Sequence, residues 1–164
     1  PVSLATPESV ERVDVNSAQE MFEAVMARAA ESDMFIGCAA VADYRPVLVA
    51  DQKIKKNDEQ MQLTLVKNPD IISAVAALEP RPFTVGFAAE TERVLEHARG
   101  KLERKGLDVI IANNVATQGI GFNSDDNEVV LVSAAALQPL PLMGKQQLAD
   151  ALIQQLADMY GAIA

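Results

Sequence analysis

Apolar and polar positions alternate along the chain in two rhythms, and each rhythm predicts elements. Between residues 17 and 31 (SAQEMFEAVMARAAE), Met21, Phe22, Val25, Met26 and Ala29 recur at three- and four-residue steps, so the segment predicts an amphipathic helix with Asn16 or Ser17 as its N-cap. Residues 34–40 (MFIGCAA) form a short unbroken apolar run, the signature of a buried parallel strand. Residues 43–60 are polar and basic without a period and predict a loop, and residues 61–66 (MQLTLV) alternate like a half-buried strand. Asn68 followed by Pro69 predicts a capped helix reaching about Leu78. A second apolar run at 82–88 (PFTVGFA) predicts another buried strand. Thr91 is the expected cap of a helix from Glu92 to Lys105, ended by Gly106, and 108–112 (DVIIA) predicts a further strand. Residues 128–133 and 136–142 read as a hairpin, and 145–160 as a final helix with Leu148, Leu152, Ile153 and Leu156 on its apolar face.

Helices alternating with apolar strands predict an α/β fold. The expected architecture is a Rossmann-like, mainly parallel sheet with helices on both faces, completed by a C-terminal β-hairpin plus helix. The 164 residues fit one domain. A doubly wound domain ordinarily begins with a strand, whereas this pattern begins with a helix and the first residue is Pro1. The sequence therefore reads as a fragment or cleaved product, incomplete at its N-terminus.

Composition narrows the function classes. With 49% apolar and 23% charged residues the chain is globular, and no run approaches the roughly eighteen apolar residues of a membrane span. One cysteine (Cys38) and one histidine (His97) exclude an internal disulfide framework and a structural zinc site, and a reducing cytoplasm is the expected setting. A net charge of −9 argues against nucleic acid as a partner. The charge is nonetheless segregated: from Asp43 to Lys105 there are 11 basic and 10 acidic residues, and six of the seven lysines lie there. Lysines gathered in an acidic protein suggest a local anion site.

In open parallel sheets ligands bind beyond the carboxyl ends of the strands. Three apolar strands here run into polar segments: CAAVADYRP (38–46), GFAAET (86–91) and ANN (112–114). VKNPD (66–70) leads into a helix start. In QKIKKND (52–58) three lysines lie within four residues, suited to closing over a polyphosphate and neutralising charge at phosphorus. On the helix after Thr91, Val94, Leu95, Ala98 and Leu102 form the expected core stripe. Arg93, His97, Lys101 and Lys105 repeat every four residues on another face, a self-repelling ladder that favours an anionic partner unless Glu96 and Glu103 neutralise it. Cys38 reads as a small core residue, His97 as a surface residue, and Asp125–Asp126 as a turn. Neither a GxGxxG nor a GxxxxGK[ST] loop occurs.

Taken in order, CAAVADYRP, KIKK (53–56), VKNPDI (66–71), GFAAET, the helix end from Ala98 to Asp108 running into ANN, and GFNSDDN (121–127) resemble bacterial phosphopantothenoylcysteine synthetase. That family is the C-terminal half of a bifunctional protein of coenzyme A biosynthesis. The resemblance extends from PVSLATP to the last helix. It implies a ligase in which CTP, with Mg2+, activates the carboxylate of 4′-phosphopantothenate as an acyl-cytidylate, and cysteine then attacks to give the amide and CMP. It also implies a homodimer. FMN belongs to the family's decarboxylase half, which these residues do not contain. The family's N-terminal strand and phosphate-binding loop are likewise outside this sequence.

Carried over by motif position, the resemblance gives Ala39, Ala40 and Asp43 to the nucleoside and Lys53 to the reacting phosphate and carbonyl. It lines the nucleotide pocket with Val66, Lys67, Asn68 and Pro69, sets Phe87 beside it, and gives the triphosphate to Lys101 and Lys105. Two other readings stay open on the residues alone: a nucleotide-binding fragment without turnover, and an NAD(P)-dependent oxidoreductase of Rossmann type.

Overall fold

In the computed structural model, residues 4–55, 59–90, 92–114 and 124–162 are described. Lys56 of the lysine loop, the expected cap Thr91 and residues 121–123 of GFNSDDN lie outside them. The chain forms two compact units, Pro1–Arg28 with Ala40–Ile71, and Ala29–Ala39 with Ile72–Ala164.

The first unit holds most of α1 (Ala18–Ala29) and a two-stranded antiparallel ribbon, β2 (Tyr44–Pro46) with β3 (Leu65–Lys67). Ser17 is the N-cap: its Oγ accepts the Glu20 N–H at 3.1 Å, and the Glu20 carboxylate in turn accepts the Asn16 N–H at 2.8 Å. The ribbon corrects two expectations. The segment expected as a loop contains β2, and only the end of MQLTLV is a strand, all three residues of which are exposed. Its alternating Met61, Leu63 and Leu65 are each more than half exposed. A strand lasts as long as its partner, and β2 supplies three residues.

The second unit is a five-stranded sheet in the order β1-β4-β5-β6-β7. β1 (Met34–Gly37), β4 (Phe83–Glu90) and β5 (Val109–Asn114) are parallel, and the hairpin β6 (Asp126–Ser133) and β7 (Leu137–Gly144) adds antiparallel to β5. Side chains of a strand alternate between faces, so each strand feeds two cores. Phe83, Val85, Val109, Ile111, Val129 and Leu131 pack under Leu148, Leu152 and Leu156 of α4 (Lys145–Gly161). On the other face Ala88, Ile110, Ala112 and Val132 meet Ala98 and Leu102 of α3 (Val94–Lys105), with Ile72 and Ala76 of α2 (Ile71–Ala76) beside them. Helices thus cover both faces of a Rossmann-like sheet. Gly86 leaves room for this: a Cβ there would come within 3.0 Å of both Ile72 Cδ1 and Leu107 Cδ1.

The helices also correct details. α2 begins at Ile71, so Asn68 is not its cap and Pro69 is not its first residue. α3 begins at Val94 after Arg93, which adopts a left-handed conformation (φ 48°). Gly106 closes α3 as expected, with φ 65° and its N–H reaching back to the last turn. Leu95 and Ile153, both expected in the core, are 40% and 55% exposed. β1 ends at Gly37 and is an edge strand, half-exposed where a buried one was expected, so Cys38 lies beyond it and is exposed. Among the described residues no helix is long and apolar enough to cross a membrane.

Candidate functional site

Strand direction distinguishes the two ends of the sheet. The parallel strands end at Gly37, Glu90 and Asn114, and the register sets Gly37 opposite Gly86, Ala89 opposite Asn113 and Glu90 opposite Asn114. Ala39, just beyond β1, and the ends of GFAAET and ANN therefore converge on one edge, as the pattern predicted. Phe87 is half-buried and packs against the core beneath α4. α3 with Lys101 and Lys105 lies over the opposite face, so the sheet separates Phe87 from those lysines.

Along α3, from Glu90 at the end of β4 towards the last turn of the helix, an open depression of about 440 Å³ is lined by Glu90, Glu96, His97, Gly100, Lys101 and Arg104. Two members of the expected ladder have partners within the fold. Arg93 forms an ion pair with Glu96, and His97 Nδ1 lies 3.4 Å from Glu90 Oε2. The Glu90 partner was invisible in the sequence, because it sits at a strand end whereas His97 sits on a helix. Lys101 is half-buried in the depression, and Lys105 is one turn further along α3, outside the lining.

In the first unit the structure brings two of the expected motifs together. Asn68 donates its amide Nδ2 to the Ala42 carbonyl at 2.8 Å, and its main-chain N–H reaches the Asp43 carbonyl at 2.8 Å. Arg45, which sequence reasoning missed, donates to Asn68 Oδ1 at 3.0 Å and to the Lys67 carbonyl at 2.9 Å. ADYRP and VKNP are thereby fastened across the ribbon, where Tyr44 faces Lys67 and Arg45 faces Val66. Asp43 keeps its carboxylate without a hydrogen bond or ion pair among the described residues. Ala40 is exposed just ahead of this ribbon, Pro69 is half-buried just after it, and Lys53 lies on exposed coil between β2 and β3.

A second depression, about 380 Å³, opens at the amino ends of the strands beside Asp33, Pro80, Arg81, Phe83, Asp108 and Tyr160. Its polar groups satisfy one another: Arg81 grips Asp108 through two hydrogen bonds of 2.6 and 2.8 Å, and Tyr160 Oη donates to Asp33 Oδ1 at 3.4 Å. Its chemistry is already spent on structure, and it lies at the wrong end of a parallel sheet for a ligand. Cys38 is no activated nucleophile either, since partial burial of the thiol pushes its pKa up.

Comparison with known proteins agrees with this architecture. The chain is 52% identical over 98% of its length to the coenzyme A biosynthesis bifunctional protein CoaBC of Vibrio vulnificus, covering 41% of that protein. It is 49% identical to the protein of the same name from Escherichia coli K12, again over 98% of the chain and 40% of the relative. The chain thus spans about two fifths of the length of these relatives. Among solved structures it resembles the C-terminal domain of a coenzyme A biosynthesis bifunctional protein CoaBC with a TM-score of 0.80 and 31% identity, covering 99% of this chain and 72% of that one. A Streptococcus pneumoniae DNA/pantothenate metabolism flavoprotein shares the fold, with a TM-score of 0.69 at 24% identity, over 90% of this chain and 70% of that one. With the family's pattern matched over residues 1–160, the chain belongs to the family of DNA/pantothenate metabolism flavoprotein C-terminal domains.

Proposed function

We propose that this chain is the CTP-dependent ligase part of a coenzyme A biosynthetic protein, joining 4′-phosphopantothenate to cysteine. The observation that carries the reading is its identity, along nearly its whole length, to relatives named for coenzyme A biosynthesis. In the first step a carboxylate oxygen of 4′-phosphopantothenate attacks the α-phosphorus of CTP, and pyrophosphate leaves. The acyl-cytidylate that results is attacked by the amine of cysteine; CMP leaves and the amine loses a proton. Both steps build negative charge at phosphorus or at a carbonyl oxygen, and preorganised cations stabilise such charge best.

The residues divide the work by chemistry. Lys53, on exposed coil, supplies an ammonium group to the reacting phosphate and carbonyl. Asp43 has a carboxylate to offer the nucleoside, and the Asn68–Arg45 latch fastens the segment carrying Ala40 and Asp43 to the one carrying Val66, Lys67 and Pro69, all of which this reading gives to the nucleotide. By the family resemblance Ala39 and Phe87 are also given to the nucleotide, and Lys101 and Lys105 to its phosphates. Among the described residues no three His, Cys, Asp or Glu side chains group to hold a metal ion. In this reading Mg2+ enters with CTP, since that ion is commonly carried on substrate phosphates. The ligase works as a homodimer in this reading, and the exposed apolar side chains of Val47, Leu48, Val49, Ile54 and Leu63 offer surface to a second copy.

The test is thermal stabilisation of the chain by CTP in magnesium buffer, with ATP and NADH as comparators, followed by an assay for CMP and the amide product. A ligand at about 100 times its Kd adds roughly 2.7 kcal/mol. A shift with CTP and amide formation supports the ligase. CTP binding without product would reduce the chain to a nucleotide-binding module, and a shift with NADH alone would replace the ligase with an oxidoreductase.

A further inference from the structure

We propose that Arg104 is a further phosphate-binding cation of α3, acting with Lys101 on a polyphosphate seated over Gly100; this rests on the ligase reading and deepens it. At 3.6 residues per turn, His97, Lys101 and Arg104 fall within an arc of about 60° on one side of α3. All three line the depression along α3, and Lys105 does not.

Charge pairing inside the depression leaves a surplus on two of them. Glu96 is held by Arg93, and Glu90 faces His97. Lys101 and Arg104 form no hydrogen bond or ion pair among the described residues. They stand three residues apart on one helix face, where like charges repel. An anion between them relieves that repulsion. The planar guanidinium of Arg104 adds what an ammonium cannot, two parallel N–H donors matched to two oxygens of one phosphate.

Gly100 makes the seat. A Cβ built there meets no atom within 4 Å, so any side chain at this position projects into open space at the depression instead of into the core. The ligand class is a di- or triphosphate. In the ligase reaction that is the β,γ-portion of CTP, which departs as pyrophosphate.

The experiment is calorimetric titration of the chain with inorganic tripolyphosphate, CTP and CMP, comparing Arg104→Gln, Gly100→Leu and Arg99→Gln. Arg99 is the control because it is exposed and lies about 140° or more around the helix from Lys101 and Arg104. Loss of one charge-assisted phosphate contact at an exposed site should weaken tripolyphosphate and CTP about tenfold in Arg104→Gln. Gly100→Leu should match it by filling the seat with charge unchanged, whereas Arg99→Gln should stay within about twofold, and CMP should bind equally to all four proteins. Unchanged tripolyphosphate affinity in Arg104→Gln, an equal loss in Arg99→Gln, or no tripolyphosphate binding by the unaltered chain would each overturn the assignment. If CTP is turned over normally while Arg104→Gln changes nothing, the ligase stands and the Arg104 site falls. If the tripolyphosphate pattern appears but CTP yields no amide, the site stands and the ligase reading falls.

Discussion

Replacing Asp108 with alanine should cost more stability than breaking its ion pair by removing Arg81. The Asp108 carboxylate accepts three hydrogen bonds: two from Arg81 at 2.6 and 2.8 Å, and one from the Thr84 main-chain N–H at 2.7 Å. Thr84 is fully buried, so its amide has no water to turn to when the carboxylate goes. An orphaned buried donor costs about 1–3 kcal/mol. The ion pair is partly solvated, with Arg81 37% and Asp108 19% exposed, and contributes about 0.5–1 kcal/mol after screening. Asp108→Ala should therefore lose about 3 kcal/mol, Arg81→Ala about 1 kcal/mol or less, and Asp108→Asn, which keeps an acceptor for Thr84, an intermediate amount. At roughly 2–4 °C per kcal/mol for a chain of this size, Asp108→Ala should melt about 6–12 °C lower. Urea unfolding followed by circular dichroism measures all three. The Arg81 pKa is raised, first by its hydrogen bond to Asp108, against desolvation. A raised folded-state value stabilises below the ordinary arginine pKa and is lost only above it, so this group should add no slope to stability between about pH 5 and 9. Equal losses in Asp108→Ala and Arg81→Ala would show that the ion pair, and not the buried amide, is what the carboxylate sustains.

Other consequences are open to direct measurement. Lys53→Gln should lower ligase turnover by about 10²–10³-fold, the scale of losing one preorganised charge stabiliser, with an unchanged circular dichroism spectrum; undiminished turnover would remove Lys53 from the chemistry. Asn68→Ala deletes the Ala42 and Arg45 bonds at an exposed site, so it should cost only about 1 kcal/mol of stability yet weaken CTP binding several-fold by freeing ADYRP from VKNP; CTP affinity equal to that of the unaltered chain would mean the latch is purely structural. Because its thiol pKa is raised, Cys38 should react with iodoacetamide at pH 8 more slowly than glutathione does, and a faster reaction would contradict the burial that raises it.

How far the fold could be read depended on whether each segment's partner was implied by its own pattern. The apolar runs at 82–88 and 108–112 yielded β4 and β5 because a strand covered on both faces shows it in every residue, while the run at 34–40 yielded only the short, half-exposed edge strand β1. β2 was missed because Tyr44, Arg45 and Pro46 are all exposed and carry no alternation to betray pairing with β3. Leu95 and Ile153 fail for different reasons. The buried stripes of α3 and α4 run at four-residue steps, through Ala98 and Leu102, and through Leu148, Leu152 and Leu156. Ile153 sits one residue past Leu152, about 100° around α4 and off its stripe, whereas Leu95 lies only about 20° around α3 from Leu102 and is exposed because it stands in the helix's first turn, two turns before Leu102.

The site follows the same logic, with different consequences. That three segments would end on one edge was legible, because parallel strands all point the same way and their polar continuations are visible in the sequence. The part played by Asn68 was not. Asn before Pro and an apolar run is a good local cap, yet its amide binds Ala42, 26 residues away, and its carbonyl oxygen receives Arg45. Local propensity cannot register a competitor that only chain reversal supplies. Arg45 was within reach, standing two residues after Asp43 in the same motif, but the loop assignment over 43–60 gave it nothing to face. The cations of α3 carry the point furthest. A four-residue ladder joined Lys101 to Lys105, whereas the folded helix shows Lys101 and Arg104 to one depression, because the choice between spacings of three and four belongs to whichever arc the sheet leaves open. Residue type and spacing can mark a helix as anion-seeking, but the surface packed behind it decides which of its cations share a depression.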